Sequence, residues 1–304
     1  MAFLRSAPPP KPVEAEFAET QLAEIVPHHA IGVILARARG LSDDQINRVL
    51  QHQRKNRVRF GDAAVVLGYV TRDDVRWALS KQYQYHYAPA VGEKVQPELV
   101  MAREPFSDKV ESIRDLRSQL IMTAMAAGPK RCALAVVSAD VGDGKTFIAA
   151  NLAIAFGQVP GGRTLIIDAD MRTPRLHTVF GVDNGAGLSN ILAGRSPPNV
   201  IRPVRELPNL YLLPVGAVPP NPTELLQTPA FSLLLQELVS KFEYVLVDTP
   251  AAALGSDARV IAAIAGAVLV IARQNKTRAQ GLKTLVNQLT MGPAKMAGVV
   301  MNEF

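Results

Sequence analysis

Three apolar segments of this chain end in residues that could handle phosphate groups or metal ions. SADVGDGKT ends at Thr146, TLIIDADMRTP starts at Thr164, and EYVLVDTP ends at Pro250. Each segment contains an uncharged apolar run, which is typical of a strand buried in a parallel sheet. Because ligands bind beside the carboxyl ends of such strands, we expect the three segments to converge on one site. Together they predict a protein that binds a nucleoside triphosphate.

The first segment has the residue types of a phosphate-binding loop. Gly142, Gly144, Lys145 and Thr146 stand between the apolar run and the helical stretch TFIAANLAIAF. This order lets backbone N–H groups and a helix N-terminus hold phosphates. We expect Lys145 to reach the outer phosphates of ATP and the Thr146 hydroxyl to bind Mg²⁺. The predicted nucleotide-binding loop comprises Val141, Gly142, Asp143, Gly144, Lys145, Thr146 and Phe147.

The other two segments contribute carboxylates. Asp168, Asp170 and Asp248 follow predicted strands, and carboxylate oxygens are the hard ligands that Mg²⁺ prefers. Taken alone, Asp168 and Asp170 would be interpreted as a turn or a helix cap, and Asp248 as an ordinary strand end. The presence of Lys145 in the preceding loop favours a role at the phosphates instead.

Length and composition limit the classes of protein that this chain represents. Its 304 residues are enough for two domains with separate cores, and the net charge of +6 is scattered along the chain. The simpler interpretation of that charge is a solvated basic surface, and the alternative is contact with anionic lipid. We predict no nucleic acid partner. Cys132, the single cysteine, indicates a reducing cytoplasm.

We expect neither a signal peptide nor a membrane span. The start, MAFLRSAPPPKP, breaks into proline, and the longest uncharged apolar run, residues 260–272, is too short to cross a bilayer. The expected location is therefore cytoplasmic.

Composition and periodicity divide the chain into four parts. Residues 31–53 and 60–82 form a weak internal repeat, in which Ser42 and Thr71 are the predicted N-caps of the second helix of each copy. From Cys132 onward, strands and helices alternate, which predicts a mostly parallel sheet flanked by helices. The predicted parts are a disordered arm (1–24), a small all-α domain (25–88), a polar linker (89–108) and an α/β domain (109–304).

With these segments identified, residues from about 105 to 304 resemble the bacterial tyrosine kinases of exopolysaccharide synthesis, which have a P-loop NTPase fold. The resemblance rests on the phosphate loop, a Walker A′ segment LIIDADMRTPRLH, a Walker B segment VLVDTP, and the stretches GLSNILAG and LYLLPVGAVPPNPTELL. The N-terminal part looks like the N-terminal domain of type II secretion ATPases. This combination fits the autokinases associated with chain-length determinants.

The resemblance implies roles for the site residues. Lys145 would contact the β- and γ-phosphates, while Thr146 and Asp248 would hold Mg²⁺. Asp168 and Asp170 would lie beside the γ-phosphate, where one would help to hold the metal and the other would orient or deprotonate a tyrosine hydroxyl. We favour Asp168 as the base. At the end of the last predicted strand, Asn302 matches the family position that contacts adenine.

The resemblance also implies partners. Glu111, Arg114 and Arg117 match a Glu-x-x-Arg-x-x-Arg pattern that mediates ring assembly in these kinases. Their helical spacing is also that of solvated intrahelical pairs, and the family match favours ring contact. Arg172 and Arg175 would face phosphate, a neighbouring subunit or solvent. The implied function is a tyrosine (auto)kinase that forms a homo-oligomer and acts with the cytoplasmic segment of a membrane chain-length determinant. This partner would hold it at the inner membrane.

Four loop residues depart from related patterns. Ala139 stands where a strict Walker A motif has Gly, while Val141 and Asp143 replace the family's common Pro and Glu. Asp140 occupies the place of the signature Lys of cell-division and partitioning ATPases.

The chain continues to MNEF without clustered tyrosines, so we expect no autophosphorylation at a C-terminal tail. The alternatives are a non-kinase ATPase switch of the MinD/ParA type and a nucleotide-binding scaffold.

The N-terminal part contains a tyrosine cluster and a candidate nucleotide-binding motif, and each has two interpretations. Tyr83, Tyr85 and Tyr87 are either phosphoacceptors or, as we prefer, rings that pack on the helical domain. The Arg59-Phe60-Gly61 segment resembles a cyclic di-GMP motif, but the first copy of the repeat has Ala30 in place of the Arg. Protein docking is therefore preferred over binding of cyclic di-GMP.

Overall fold

A computed structural model describes residues 31–82, 96–104, 107–125, 131–195, 198–205, 207 and 209–303. The chain divides into two compact units between residues 89 and 90. The predicted arm, the tyrosine cluster at residues 83–87 and Ala30 lie outside the described residues.

The N-terminal unit is helical, as predicted. Ser42 accepts a hydrogen bond from the backbone N–H of Gln45, and the Thr71 hydroxyl accepts one from the N–H of Asp74, which confirms both predicted caps. A Cβ on Gly61 would lie 2.7 Å from Val75, so this glycine serves the close packing of two helices. The helices are α1 (Ile31–Arg39), α2 (Asp43–Asn56), α3 (Phe60–Val66) and α4 (Arg72–Gln82).

The C-terminal unit alternates strands and helices around one sheet. Its first part contains α5 (Val100–Arg103), α6 (Asp108–Met122), β1 (Ala133–Ser138), α7 (Lys145–Gly157), β2 (Thr164–Asp168), α8 (Leu176–Phe180) and α9 (Leu188–Leu192). Its second part contains β3 (Arg202–Pro203), β4 (Leu210–Leu213), α10 (Pro222–Gln227), α11 (Pro229–Lys241), β5 (Tyr244–Asp248), α12 (Asp257–Ala265), β6 (Gly266–Arg273), α13 (Ala279–Thr290) and β7 (Lys295–Asn302).

The seven strands lie in the order β3-β4-β2-β5-β1-β6-β7, and only β3 pairs in an antiparallel direction. Both faces of the sheet are buried: alternate residues of β1 belong to one apolar cluster with α11, α12 and α13, and the others to a second with α6 and α7. The predicted α/β class with a mostly parallel sheet flanked by helices is confirmed. In this arrangement the carboxyl ends of β1, β2 and β5 are neighbours. None of the described helices is long and apolar enough to cross a membrane.

Residues 96–104, which the sequence predicts as linker, pack onto α7; we call them the strap. Leu99 and Met101 are buried in the same apolar cluster as α7. Asn151 of α7 holds the strap, because its Oδ1 accepts from the N–H of Met101 at 3.0 Å and its Nδ2 donates to the carbonyl of Glu98 at 2.8 Å. Asn151 is fully buried, and the Met101 N–H depends on this side chain, whereas the Glu98 carbonyl also accepts from the N–H of Val100.

Asn151→Ala should destabilise the C-terminal unit by about 1–3 kcal/mol, because it leaves the N–H of the buried Met101 unsatisfied. The exposed Asn287→Ala is the control and should change the free energy of unfolding by less than about 0.5 kcal/mol. Urea unfolding followed by circular dichroism measures both. Fluorescence of Trp77, the single tryptophan, should report an unchanged N-terminal unit. Equal stability of the two variants would contradict the strap's dependence on Asn151.

Candidate nucleotide-binding site

The predicted phosphate loop connects β1 to α7 and has the backbone shape that its glycines permit. Gly142 and Gly144 adopt φ values of 86° and 96°, a left-handed conformation that favours glycine. Helix α7 begins at Lys145, so its first N–H groups face the loop. The arrangement forms a concave set of backbone donors in front of a helix N-terminus, which is suited to phosphate oxygens.

Asp143 braces the loop from inside. Its buried carboxylate accepts from the Asp140 N–H at 2.9 Å and from the Thr277 hydroxyl at 2.7 Å, while its carbonyl accepts from Asn302 Nδ2 at 3.1 Å. Thr277 follows β6 and Asn302 ends β7, so the ends of two strands hold the loop in place. The side chain of Asp143 therefore shapes the loop from within. The contact of Asn302 with adenine stays a prediction.

Lys145, Thr146 and two of the three predicted acids meet directly at the edge of the sheet. Lys145 Nζ lies 3.3 Å from Asp170 Oδ2, and the Thr146 hydroxyl donates to Asp248 Oδ2 at 2.7 Å. All four side chains are buried. The sequence-predicted convergence of loop and acids is therefore present in the structure.

Asp168 lies opposite Asp248 in the paired strands β2 and β5, and it organises the loop that follows it. Its Oδ1 accepts from the Asp170 N–H at 3.2 Å, and its Oδ2 accepts from the N–H groups of Arg175 at 3.2 Å and Leu176 at 3.0 Å. This fully buried carboxylate thus orients the segment that carries Asp170.

The three carboxylates repel one another in a place shielded from water. Burial raises the pKa of Asp168 well above its ordinary value, and the Asp248 charge raises it further. Burial likewise raises the pKa of Asp248 to about 6, opposed by the Lys145 charge and the Thr146 hydrogen bond. Perturbed carboxylates of this kind are typical of functional sites.

Asp248 Oδ1 is well placed to bind a cation. Asp248 Oδ1 is buried and, within the described part of the chain, has no hydrogen-bond partner. It lies on the same carboxylate that accepts from Thr146, so a hydroxyl and an unsatisfied carboxylate oxygen are adjacent. No group of three or more His, Cys, Asp or Glu among the described residues could hold a metal ion alone. The donor set therefore fits Mg²⁺, which takes one or two protein ligands and completes its shell with phosphate oxygens and water.

Two clefts open beside the loop. The first, of about 520 Å³, is lined by Gly142, Lys145 and Thr146 together with Glu98 and Arg175. The second, of about 400 Å³, lies between α6 and the end of β7 and includes Phe147 and Asn302. Neither Glu98 nor Thr277 belongs to a known sequence motif, so the sequence alone did not indicate that they contact this site.

The three residues predicted to mediate assembly make contacts within the chain. Glu111 forms an ion pair with Arg114, three residues along the same helix. Arg117 donates to the carbonyl of Ala155 at 3.0 Å and is half-buried, and burial lowers the pKa of its guanidinium. Ring assembly stays a prediction for all three.

Comparison with known proteins identifies the family. The model of the CobQ/CobB/MinD/ParA nucleotide binding domain matches residues 134–304, more than half of the chain. The chain is 32% identical to the tyrosine-protein kinase YwqD of Bacillus subtilis over 69% of its own length and 88% of that protein. The chain belongs to the bacterial tyrosine-protein kinase family. This confirms the family inferred from the sequence.

Other members of this family agree. Identity to the tyrosine-protein kinase wzc of Salmonella typhimurium is 34% over 207 residues, which are 68% of this chain but only 28% of that longer protein. The solved kinase domain of the Escherichia coli tyrosine kinase ETK matches with a TM-score of 0.64 and 31% identity, and the match covers 69% of this chain and 81% of that domain.

Asp248→Asn should make the nucleotide-free protein more heat-stable at about pH 8 and leave it unchanged near pH 4. The pKa of Asp248 is raised on folding from 3.8 to about 6. The protonated carboxyl group therefore makes its full contribution to stability below pH 3.8, and this contribution is lost as the pH rises through 6. Asparagine has no such charge to bury. Scanning calorimetry across this pH range measures the difference. The exposed Asp115→Asn is the control, and a loss of stability in Asp248→Asn at high pH would contradict the assignment.

Proposed function

We propose that this chain is an ATP-dependent protein-tyrosine kinase. One observation carries the proposal: the buried pair of Lys145 and Asp170 lies beside the hydrogen bond between Thr146 and Asp248, at the start of a helix. Phosphoryl transfer needs positioned cations and neutralised charge more than covalent chemistry, and this arrangement supplies both. The membership of the tyrosine-protein kinase family supports tyrosine as the acceptor.

Each residue of the phosphate loop has a task in this proposal. Backbone N–H groups from Val141 to Phe147 bind the phosphates, and Lys145 offsets the charge that develops on the transferred group. Thr146 and Asp248 would hold Mg²⁺, and Asp168 would contribute through its charge. When bound, Mg²⁺ neutralises phosphate charge and fixes the orientation of the phosphate chain. Asn302, in the cleft beside Phe147, would contact adenine.

The acceptor phenol must lose its proton as its oxygen is phosphorylated. An ordinary tyrosine is protonated at neutral pH, so a carboxylate acceptor is useful. We propose Asp168 for this task, because its raised pKa brings it nearer to neutrality than a solvated carboxylate. Asp170 lies against Lys145 and would orient the lysine and the incoming hydroxyl.

We further propose that the kinase regulates the chain length and export of an exopolysaccharide. It would do so with the cytoplasmic segment of a membrane chain-length determinant, which would bring it to the inner membrane. Resemblance to the autokinase subgroup supports this role. Binding of cyclic di-GMP at the N-terminal unit stays the weaker option, because Gly32 faces the ring of Phe60 and serves packing.

Lys145→Met should reduce the transfer of label from radioactive ATP to tyrosine by about 100-fold or more, because it removes the cation that stabilises the transferred group. The exposed Lys283→Met is the control and should retain activity. Phosphotyrosine in the unsubstituted protein supports a kinase, whereas free phosphate alone supports an ATPase switch and neither product supports a scaffold. Full activity of Lys145→Met would refute the assigned site.

Glu111→Lys should reduce the mass of the assembled protein in light scattering, if copies join through the Glu111 surface as we propose. Its side chain is 60% exposed, so loss of the ion pair with Arg114 should lower the melting temperature only slightly. Asp115→Lys places the same charge one turn further along α6 and serves as the control. An unchanged assembly in Glu111→Lys, or a monomeric unsubstituted protein, would overturn this proposal.

A further inference from the structure

The strap forms part of the wall of the phosphate cleft. Pro97 and Glu98 line the cleft of about 520 Å³ together with Lys145 and Thr146. The Glu98 backbone is fixed, since its carbonyl accepts from Asn151 at 2.8 Å, and Asn151 lies on the helix that begins at Lys145. A carboxylate is thus held at the edge of a cleft whose expected ligand is a polyanion.

The partner of this carboxylate is Arg175, which also lines the cleft. Arg175 Nη2 lies 2.5 Å from Glu98 Oε1. The backbone N–H of Arg175 donates to Asp168 Oδ2, which fixes the Arg175 backbone beside the acidic cluster. Its guanidinium group contacts Glu98. The side chains are 28% and 56% exposed for Glu98 and Arg175, respectively, which leaves the guanidinium room to move.

The energetics favour an exchange of partners. An ion pair as exposed as this one contributes little to stability and is easily opened. A phosphate chain offers Arg175 bidentate, charge-assisted hydrogen bonds, which are stronger than a pair with one partly solvated carboxylate. At the same time, a bound polyanion repels Glu98, which stands on the wall of the same cleft.

We propose that Arg175 is a second phosphate-binding cation of the kinase and that Glu98 restrains it when the nucleotide is not bound. Binding of the triphosphate transfers the guanidinium from Glu98 to the phosphate chain. Glu98 is therefore a positioning residue that weakens nucleotide affinity. This inference rests on the proposed function, because it takes the ligand of the cleft to be a nucleotide.

The dissociation constants for MgATP and MgADP, measured by calorimetry on the full chain, test the proposal. Glu98→Gln should bind both nucleotides about 5-fold more tightly, and Arg175→Gln should bind them about 5-fold more weakly, consistent with the net contribution of one partly solvated hydrogen bond gained or lost. In the Arg175→Gln background, Glu98→Gln should lose most of its effect. Glu104→Gln, on the same strap but exposed, is the matched control and should bind as the unsubstituted chain does.

Two results would overturn the proposal. Unchanged or weaker binding in Glu98→Gln would show that Glu98 does not restrain Arg175. An equal gain with and without Arg175 would show simple repulsion of the nucleotide by Glu98. Melting temperatures without nucleotide confirm that the variants are folded. If the unsubstituted chain failed to bind MgATP at all, the proposed function itself would be refuted, and this inference with it.

Discussion

The structure depends on the burial of three carboxylates beside a single lysine. Asp168, Asp170 and Asp248 lie at the carboxyl ends of neighbouring strands. Among the described residues, Lys145 is the cation that pairs with this cluster, through Asp170. Removing charges from water is costly unless opposite charges or hydrogen bonds compensate. The protein compensates partly, with backbone N–H groups on Asp168 and Asp170 and the Thr146 hydroxyl on Asp248. Asp248 Oδ1 has no hydrogen-bond partner among the residues that the structure describes. The negative charge that remains there makes this edge of the sheet a site for a cation.

The architecture explains why the loop and the acids can oppose each other. Parallel strands place the phosphate loop after β1 and the acids after β2 and β5 at one edge, and the register sets Asp168 directly opposite Asp248. The loop is further supported from the other side of β1, where Thr277 and Asn302 hold Asp143. A site assembled from separate strand ends is rigid, since each donor or acceptor is fixed by elements that are themselves buried on both faces.

Much of this could be predicted from the sequence, because the signals are local. The segment TLIIDADMRTP begins with an apolar run, and that run forms β2 (Thr164–Asp168). The chemistry of Lys145 and the acids follows from their types and their positions after strands. The Ser42 and Thr71 caps were predictable for the same reason.

The features that could not be predicted depend on contacts between distant residues. The strap has only four consecutive apolar residues, too few to show a periodicity, and its capture depends on Asn151, which is 50 residues away from Met101 in sequence. Thr277 braces Asp143 across 134 residues, and no local pattern marks that pairing. The two-residue strand β3 is too short to carry an alternation of apolar and polar residues. Such features are set by tertiary packing, which local sequence patterns do not encode.

The central claim is that the phosphate loop and the acid cluster bind a divalent cation and a nucleotide together. Pulsed electron paramagnetic resonance of Mn²⁺, used in place of Mg²⁺, tests this most directly. With ADP present, we expect Mn²⁺ to bind with a hyperfine coupling to phosphorus, and we expect Thr146→Val to lose that bound species. Mn²⁺ that bound without phosphorus coupling, or that was unaffected by the Thr146 substitution, would contradict the account.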